Sequence, residues 1–207
     1  MSDVTVIGTG NVGSAVAAIT AKGGASVQVL GRDQEKASAL AAQVGGTAGS
    51  VGDPITGEVV VLAVPYAALA ELAQAYGAQL DGKVVVDVTN PVDPTTFDGL
   101  TVPADSSAAA ELQALVPGAK VLKAFNTNFA GALASGQVGE VPATVLVAGD
   151  DADAKQQLVD LVTAGGVAAA SVGSLKRARE LEAFGFLQIT LAAQEVIGWG
   201  GGFALRK

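Results

Sequence analysis

An α/β fold with a doubly wound, mostly parallel sheet and a carboxy-terminal helical extension is predicted by three features of the 207-residue sequence. Short apolar runs alternate with helix-compatible segments, and continuous apolar runs are typical of parallel strands that are buried on both faces. A glycine-rich turn follows the first apolar run. Half of the residues are apolar and no low-complexity linker divides the chain, which indicates one main core.

The segment from residue 4 to residue 32 is predicted to form the first β-α-β unit. An apolar run at 4–7 precedes the glycine-rich turn, an alanine-rich, helix-compatible segment reaches residue 22, and a second apolar run covers 26–30. Strand, turn, helix and strand follow one another within about 30 residues, as a dinucleotide-binding unit requires. This order predicts a Rossmann-type fold with a bound dinucleotide.

The glycines of this turn have the spacing Gly8-x-Gly10-x-x-Gly13. Gly8 permits a sharp turn out of the strand, Gly10 has no side chain that would block a diphosphate, and Gly13 lets the helix approach the sheet. The free backbone N–H groups at the start of the helix, with their partial positive charge, suit a diphosphate. We therefore expect the dinucleotide to contact this loop through Gly8, Thr9, Gly10, Asn11 and Val12.

The end of the second strand indicates which dinucleotide binds. An acidic residue there would bind the ribose 2′-hydroxyl of NAD, whereas a cation would bind the 2′-phosphate of NADP. Arg32 follows Gly31 directly, Lys36 lies one helical turn further on, and Thr9 can add a hydroxyl. NADP is therefore favoured over NAD, and Asp33 is interpreted as the N-cap of the next helix.

The remaining elements continue the alternation of strand and helix. Helices are predicted at residues 33–43, after residue 66 up to 76, and at 108–115, 152–164 and 175–197, with Ser107 and either Asp150 or Asp151 as caps. Strands are predicted at residues 47–48, 58–63, 83–87, 119–123, 143–148 and 167–171. We assign residues 1–172 to an NADP-binding domain. Residues 173–207 are predicted to be a helix and tail that complete the substrate pocket or form a dimer contact.

Ligands of an open α/β sheet bind outside the carboxyl ends of its strands, so the residues after each apolar run are candidate site residues. We expect the ribose and nicotinamide to be flanked by residues that follow two central strands, namely Ala63, Val64, Pro65, Asn90 and Pro91. We expect the second reactant to face the residues after the next strand, namely Phe125, Asn126, Thr127 and Asn128. Each loop alone is also an ordinary turn. Their joint placement at one edge predicts a site.

The composition excludes several classes of function. A net charge of −8 with only 12 lysines and arginines argues against nucleic acid as a partner. The absence of cysteine and histidine excludes disulfides, thiolate nucleophiles, the usual zinc sites and histidine proton relays. With no metal and no catalytic side chain expected, the pattern favours hydride transfer between two small molecules that the protein aligns. No uninterrupted apolar stretch of about 18 residues and no signal peptide are found, so we expect a cytoplasmic protein without a membrane segment.

Six motifs are spread over nearly the whole chain: the glycine turn at 8–13, Gly31-Arg32, Val88–Pro91, Lys123–Thr127, Gly149–Asp151 and Gly173–Glu182. Together they resemble the family of NADP oxidoreductases that depend on the deazaflavin coenzyme F(420). The resemblance implies reversible hydride exchange between the nicotinamide of NADP(H) and coenzyme F(420) as second substrate, in a homodimer. It also implies that the carboxy-terminal helix closes over the pocket or packs against the partner subunit.

Two other functions remain open. The same motifs occur in the cytoplasmic oxidoreductase domain of membrane ferric reductases, so an NADPH-dependent flavin or ferric reductase is the first alternative. Tyr66 stands after Val64-Pro65, where the resemblance leads us to expect tryptophan or histidine, and this leaves the second substrate open. The other alternative is a non-catalytic NADP-binding sensor or scaffold, because the lack of a catalytic acid or base fits both.

Overall fold

The computed structural model describes residues 3–206, which include ten strands and seven α-helices. The strands are β1 (Asp3–Ile7), β2 (Ser26–Gly31), β3 (Thr47–Ser50), β4 (Val59–Leu62), β5 (Val84–Asp87), β6 (Lys120–Lys123), β7 (Gln137–Val138), β8 (Val141–Pro142), β9 (Thr144–Gly149) and β10 (Ala168–Gly173). The helices are α1 (Asn11–Lys22), α2 (Gln34–Val44), α3 (Leu69–Tyr76), α4 (Ala108–Leu115), α5 (Ala130–Ser135), α6 (Ala152–Ala164) and α7 (Ala178–Ala193). Short 3-10 turns lie at Tyr66–Ala68, Gly77–Leu80 and Leu175–Arg177.

Eight strands form one sheet in the order β10-β9-β6-β5-β4-β1-β2-β3. Strands β1 to β6 run parallel, β9 pairs antiparallel with β6, and β10 runs parallel to β9. The predicted doubly wound, mostly parallel sheet is therefore confirmed. The strand order reverses beside β1, and ligands of such sheets bind in the crevice outside the carboxyl ends of the strands at this point.

Helices cover both faces of the sheet because the central strands carry apolar side chains on both sides. In β4, Val59 and Val61 pack on one face, and Val60 and Leu62 pack on the other, as the alternation of side chains along a strand requires. Helices α1, α2 and α6 cover the first face, and α3 and α4 cover the second. Within residues 3–206, no helix has the length and apolarity needed to cross a membrane.

Three helices begin at side-chain caps, whereas α1 does not. In α2, α4 and α6, the side chains of Asp33, Ser107 and Asp151 accept a backbone N–H three residues later, at 3.1, 3.1 and 2.8 Å. The predicted caps are confirmed, and Asp151 rather than Asp150 caps α6. Helix α1 begins after Gly10 with no side-chain cap and no acidic residue in its first turn. Its first N–H groups are therefore left for another partner.

Two stretches differ from the predicted elements. Residues 130–142 form α5 and the β7–β8 hairpin, which are too short for an apolar period to indicate. The last helix ends at Ala193 and not near Ile197, because the chain leaves helical geometry before Glu195, which has a positive φ of 60°. The division of the chain at residue 173 stays a prediction.

The turn between β1 and α1 is built on glycines with two different roles. A Cβ on Gly8 would collide with the carbonyl oxygen of Ala63, and a Cβ on Gly13 would collide with the carbonyl oxygen of Gly8. Gly8 also has a φ of 119°, a conformation that favours glycine. A Cβ on Gly10 would meet no atom within 4 Å. Gly8 and Gly13 therefore let β1, β4 and α1 pack, whereas Gly10 borders open space.

The substitutions Gly8→Ala and Gly10→Ala are expected to differ in stability. Gly8→Ala should lower the free energy of unfolding by at least about 2 kcal/mol, because the alanine would be both strained in φ and in collision with Ala63. Gly10→Ala should lower it by less than about 1 kcal/mol, since its methyl group meets open space. Urea unfolding of both variants measures this difference, and equal losses would contradict the two roles.

Candidate functional site

The start of α1 is the first part of the site. The first hydrogen bond of the helix runs from Ser14 N to Gly10 O at 2.9 Å, so the helix itself does not use the N–H groups before Ser14. Gly10 and Asn11 are exposed. An uncapped helix start with partial positive charge, beside the open space at Gly10, fits a diphosphate group.

The end of β2 lies beside this loop. A Cβ on Gly31 would lie 2.9 Å from Thr9 Cγ2, which places the two residues in contact. Arg32 follows with an exposed side chain, and Lys36 is exposed with its Nζ 3.4 Å from Asp33 Oδ2. The hydrogen bond from the Lys36 backbone lowers the pKa of the Asp33 carboxyl, in agreement with its role as a cap. The predicted hydroxyl and two cations therefore stand at one corner of the sheet.

The turn after β4 packs against the glycine loop from the other side. Ala63 N donates to Ile7 O at 2.8 Å, and Val64 lies beside Gly8. Pro65 is exposed and precedes a 3-10 turn. These predicted residues thus border the crevice between β1 and β4, mainly through their backbone.

Tyr66, the next residue in the chain, forms a side-chain hydrogen bond within the protein. Its hydroxyl donates to Glu111 Oε2 of α4 at 2.5 Å. Burial, followed by the hydrogen bond to Glu111, raises the pKa of Tyr66 to about 12. The hydrogen bond of the phenol ties the turn after β4 to α4.

Asn90 and Asn126 form a reciprocal amide pair between the loops that follow β5 and β6. Asn90 Nδ2 donates to Asn126 O at 3.0 Å, and Asn126 Nδ2 donates to Asn90 Oδ1 at 2.9 Å. Asn126 Nδ2 also donates to Leu181 O of α7 at 2.9 Å. The Asn90 side chain, which we predicted to contact the nicotinamide, is thus used largely to join these two loops.

A cavity of about 940 Å³ extends along α1, from Asn11 at its start to Lys22 at its end, and reaches the amide pair on one side. This volume is within the range of small-molecule sites. Its lining includes six of the predicted residues, namely Asn11, Val12, Asn90, Phe125, Asn126 and Asn128. Within the described part of the chain, the other predicted residues lie outside that lining: Gly8, Thr9, Gly10, Gly31, Arg32, Lys36, Ala63, Val64, Pro65, Pro91 and Thr127.

Three buried side-chain oxygens near this cavity are unpaired. Thr89 Oγ1, Asn126 Oδ1 and Asn128 Oδ1 have no hydrogen-bond partner among residues 3–206. Phe125, immediately before Asn126, is fully buried and has a positive φ of 66°. Unpaired buried acceptors and positive φ angles of bulky residues are both rare, and they concentrate at functional sites. These features fit a ligand that supplies hydrogen-bond donors.

A buried ionic cluster lies behind the amide pair. Lys123 Nζ lies 2.8 Å from Asp87 Oδ2, 2.8 Å from Glu182 Oε1 and 2.7 Å from Thr89 O. The three charged side chains are fully buried. Sequence reasoning did not find this cluster, although Asp87 and Lys123 end two neighbouring apolar runs and are partners in the β5–β6 register. Charged residues at the ends of two buried strands were the available signal.

Glu182 joins this cluster to α4. Its Oε2 accepts a hydrogen bond from Ala108 N at 2.9 Å, at the start of that helix. Burial raises the pKa of the Glu182 carboxyl, and the ammonium of Lys123 opposes that rise. Because Glu182 belongs to α7, one carboxylate holds α7, α4 and β6 together.

The segment after α7 folds back beside the cavity. The ring of Trp199 packs on Phe129 with centroids 5.0 Å apart, and Phe203 packs on Phe184 at 4.9 Å. Trp199 lines the cavity although 60% of its surface is exposed. The tail therefore borders the predicted substrate region, and its role in a dimer contact stays a prediction.

The Rossmann-type sheet, its glycine loop and the uncapped helix behind that loop are characteristic of dinucleotide-binding proteins. The match to known proteins narrows this class. The chain belongs to the family of coenzyme F(420)-dependent NADP oxidoreductases, whose family model matches residues 3–91. The family predicted from the six sequence motifs is thus confirmed, and the protein is an NADP-dependent oxidoreductase of that family.

Three similar proteins support this assignment. The chain is 33% identical over 208 residues to the F(420)-dependent NADP reductase of Methanothermobacter thermautotrophicus. This alignment covers 92% of this chain and 89% of that protein. It is 33% identical over 183 residues to metalloreductase STEAP3 of Rattus norvegicus, but this match spans 87% of the chain and only 36% of the rat protein. The crystal structure of a candidate F(420)-dependent NADP reductase from an Arthrobacter species has a TM-score of 0.86 at 26% identity, with both chains fully covered.

Lys123→Met is expected to lower the free energy of unfolding by about 3 to 5 kcal/mol, because it leaves two buried carboxylates without their cation. Lys120→Met is the matched control: it removes the same charge from an exposed end of β6, where Lys120 pairs with Asp151 at 3.1 Å. That loss should stay below about 1 kcal/mol. Chemical denaturation measures both, and similar losses would argue against the cluster as a structural centre.

Glu182→Gln is expected to change how stability depends on pH. The pKa of Glu182 is raised above its ordinary value of 4.5 in the folded protein, so the folded state binds this proton more tightly than the unfolded chain does. The resulting stabilisation is complete below that ordinary value and is lost as the pH rises through the raised pKa. In urea unfolding, the stability of the wild type relative to the variant should therefore fall as the pH rises above 4.5. A relative stability that rises with pH would contradict the direction of this shift.

Proposed function

We propose that this protein transfers hydride between NADP(H) and the deazaflavin coenzyme F(420), and that it does so by aligning the two ring systems. The observation that carries the proposal is the cavity of about 940 Å³ that borders both the uncapped start of α1 and the amide pair. A diphosphate at α1 would direct the nicotinamide half of a dinucleotide toward the amide pair, and the 2′-phosphate of the other half would lie at Arg32, outside the cavity lining. The similarity to the Methanothermobacter reductase over 89% of its length supports coenzyme F(420) as the second reactant.

The residues proposed to hold NADP occupy three places. The backbone N–H groups of Asn11 and Val12, with the loop from Gly8 to Gly10, receive the diphosphate. Thr9, Arg32 and Lys36, beside Gly31, receive the 2′-phosphate, where a guanidinium makes strong charge-assisted hydrogen bonds. The turn of Ala63, Val64 and Pro65, together with Asn90 and Pro91, borders the ribose and nicotinamide. Phe125, Asn126, Thr127 and Asn128 form the proposed contact with the second reactant.

The chain itself supplies alignment and no proton transfer in this proposal. When bound, NADPH would supply the hydride to the deazaflavin, and the proton needed for a neutral reduced ring would come from solvent. Asp87, Lys123 and Glu182 are fully buried and paired with one another, and the ionisable residue in the cavity lining is Lys22, at the other end of α1 from the glycine loop. None of these three residues lines the main cavity, and Tyr66 is paired with Glu111. Holding two rings in contact and excluding water is therefore the contribution proposed for the protein.

A flavin or ferric reductase is the second candidate function. The observation that favours it is the 33% identity to metalloreductase STEAP3, which extends over 87% of this chain. The chain spans only 36% of the rat protein, so the remainder of that protein has no counterpart in this alignment. A non-catalytic NADP-binding sensor or scaffold is the alternative of another class.

The tail suggests how copies of the chain associate. Four large apolar side chains of α7 and the tail are at least half exposed, namely Leu187, Val196, Trp199 and Leu205. We propose that they contribute to a homodimer contact, since exposed apolar patches commonly mark interfaces. A cytoplasmic location also stays a prediction.

A spectroscopic assay tests the proposed reaction. Purified protein is mixed with NADPH and coenzyme F(420), and bleaching of the deazaflavin absorbance is followed, with FMN, FAD and a ferric chelate in parallel. Bleaching of the deazaflavin with the highest kcat/KM supports the proposal. Preference for a flavin or ferric chelate supports the second candidate. NADPH binding without turnover of any acceptor would overturn both and leave the sensor.

Arg32→Ala is expected to reduce the preference for NADPH over NADH. Loss of one charge-assisted phosphate contact should cost about 1.5 to 3 kcal/mol in NADPH binding and nothing in NADH binding. Arg179→Ala is the control, because it removes the same charge from an exposed position on α7. Titration calorimetry with both nucleotides gives the ratio of affinities. An unchanged ratio in Arg32→Ala would show that Arg32 does not contact the 2′-phosphate.

A further inference from the structure

The side-chain amide of Asn126 has a defined orientation. Its Nδ2 donates to Asn90 Oδ1 and to Leu181 O, each at 2.9 Å. Two oxygen acceptors around one atom identify that atom as the nitrogen, because an amide oxygen cannot donate. Asn126 Oδ1 is therefore the atom left over, and it is buried without a partner among residues 3–206. Within the described chain, the Nδ2 of this amide is hydrogen-bonded and its Oδ1 is not.

Asn128, two residues later, has a second unpaired side-chain oxygen. The residue is 6% exposed, and its Oδ1 is also buried without a hydrogen-bond partner within the described chain. Its backbone N–H donates to Phe125 O at 3.1 Å, which closes a tight turn. Asn126 and Asn128 both line the main cavity. Two unsatisfied amide acceptors thus lie in one wall of the cavity that we propose as the site. We call this part of the lining, formed by Asn126 and Asn128, the amide wall.

The surrounding structure is adapted to hold this wall in place. Gly185 of α7 packs so closely that a Cβ on it would lie 2.5 Å from Asn90 Oδ1 and 2.9 Å from Asn126 O. Phe125 adopts a positive φ of 66° directly before Asn126. Close approach of a helix and an unfavourable φ each carry a cost, and neither pairs the two oxygens. A wall built in this way is organised for a partner that the chain does not supply.

We propose that Asn126 and Asn128 form an acceptor site for a planar N–H donor group, either the carboxamide of nicotinamide or the imide of a deazaflavin or flavin ring. The inference rests on the proposed function, because it assigns the ring-binding part of that site. Free amide oxygens select a donor and penalise a ligand of the same shape that lacks the N–H group. The site therefore distinguishes a ring substituent that carries an N–H group from one that lacks it.

Near-isosteric substitutions and a ligand analogue test this recognition. In the 3-acetylpyridine analogue of NADP+, a methyl group replaces the carboxamide nitrogen and the carbonyl is kept. If the carboxamide is the donor, the wild type should bind NADP+ about tenfold more tightly than this analogue, and Asn126→Leu and Asn128→Leu should reduce the ratio to about twofold or less. Asn128→Leu decides the matter if Asn126→Leu does not fold, since Asn126 also joins Asn90 to α7. Thermal unfolding of each variant checks the fold.

A second arm identifies the source of the donor. The KM of the deazaflavin is compared with that of its derivative methylated on the imide nitrogen, at saturating NADPH. If the imide is the donor, the preference of about tenfold for the unmethylated ring appears in this arm and is lost in the variants, while the NADP+ ratio is unchanged. FMN and its imide-methylated derivative replace the deazaflavins if FMN is the acceptor that the enzyme reduces.

Thr20→Val is the matched control for both arms. It removes a buried hydroxyl in α1 that bonds only within its own helix, to Val16 O at 2.9 Å and Ala17 O at 3.1 Å, away from the amide wall. It should leave both ratios unchanged. Ratios that are unchanged in a folded Asn128→Leu variant in both arms overturn the inference alone. Failure of the wild type to bind NADP+ overturns the proposed function, and the inference with it.

Discussion

The buried charge of Lys123 is the constraint on which the rest of the site depends. A fully buried ammonium group is tolerated only where carboxylates and carbonyl oxygens surround it, and here Asp87, Glu182 and Thr89 O do so within 2.8 Å. These partners come from the end of β5, from α7 and from the loop after β5. Glu182 also accepts the first N–H group of α4. Pairing one cation therefore brings α7 and α4 to the carboxyl ends of β5 and β6.

The amide wall follows from this placement of α7. Once Glu182 is held by Lys123, the neighbouring carbonyl of Leu181 reaches Asn126, and Gly185, one helical turn along, packs on Asn90 and Asn126. The helix that closes the chain thus orients side chains of loops that lie far before it in sequence. Ring recognition and the ionic cluster are for this reason two parts of one arrangement: the cluster sets where α7 lies, and α7 sets which end of the Asn126 amide is left for a ligand.

The two halves of the site differ in how far they could be read from residue types. The glycine loop, the uncapped start of α1 and Arg32 lie close together in the chain. Their spacing alone therefore predicts how they are arranged around a dinucleotide. Even there, packing separates the roles: Gly8 and Gly13 are required by neighbouring backbone, and only Gly10 borders open space. In the second half, the loop residues were found because they end apolar runs, but Asn90 was assigned to the ligand and the structure pairs it with Asn126. Lys123, Asp87 and Glu182 were missed as a cluster.

The sequence by itself determined the order of the longer strands and helices, the caps at Asp33 and Ser107, the family and the glycine loop. Each of these depends on residues within a few positions of one another or on short motifs distributed along the chain. Only the tertiary structure decided which polar groups pair and which remain unpaired. Asn126 meets a carbonyl 55 residues away, and Ala108 N meets a carboxylate 74 residues away. Such contacts arise when α7 folds back on the sheet, and no local pattern records them. The short α5 and the early end of α7 also could not be predicted. Helix α5 has too few residues to show an apolar period, and the positive φ of Glu195 near the end of α7 has no signal in the sequence.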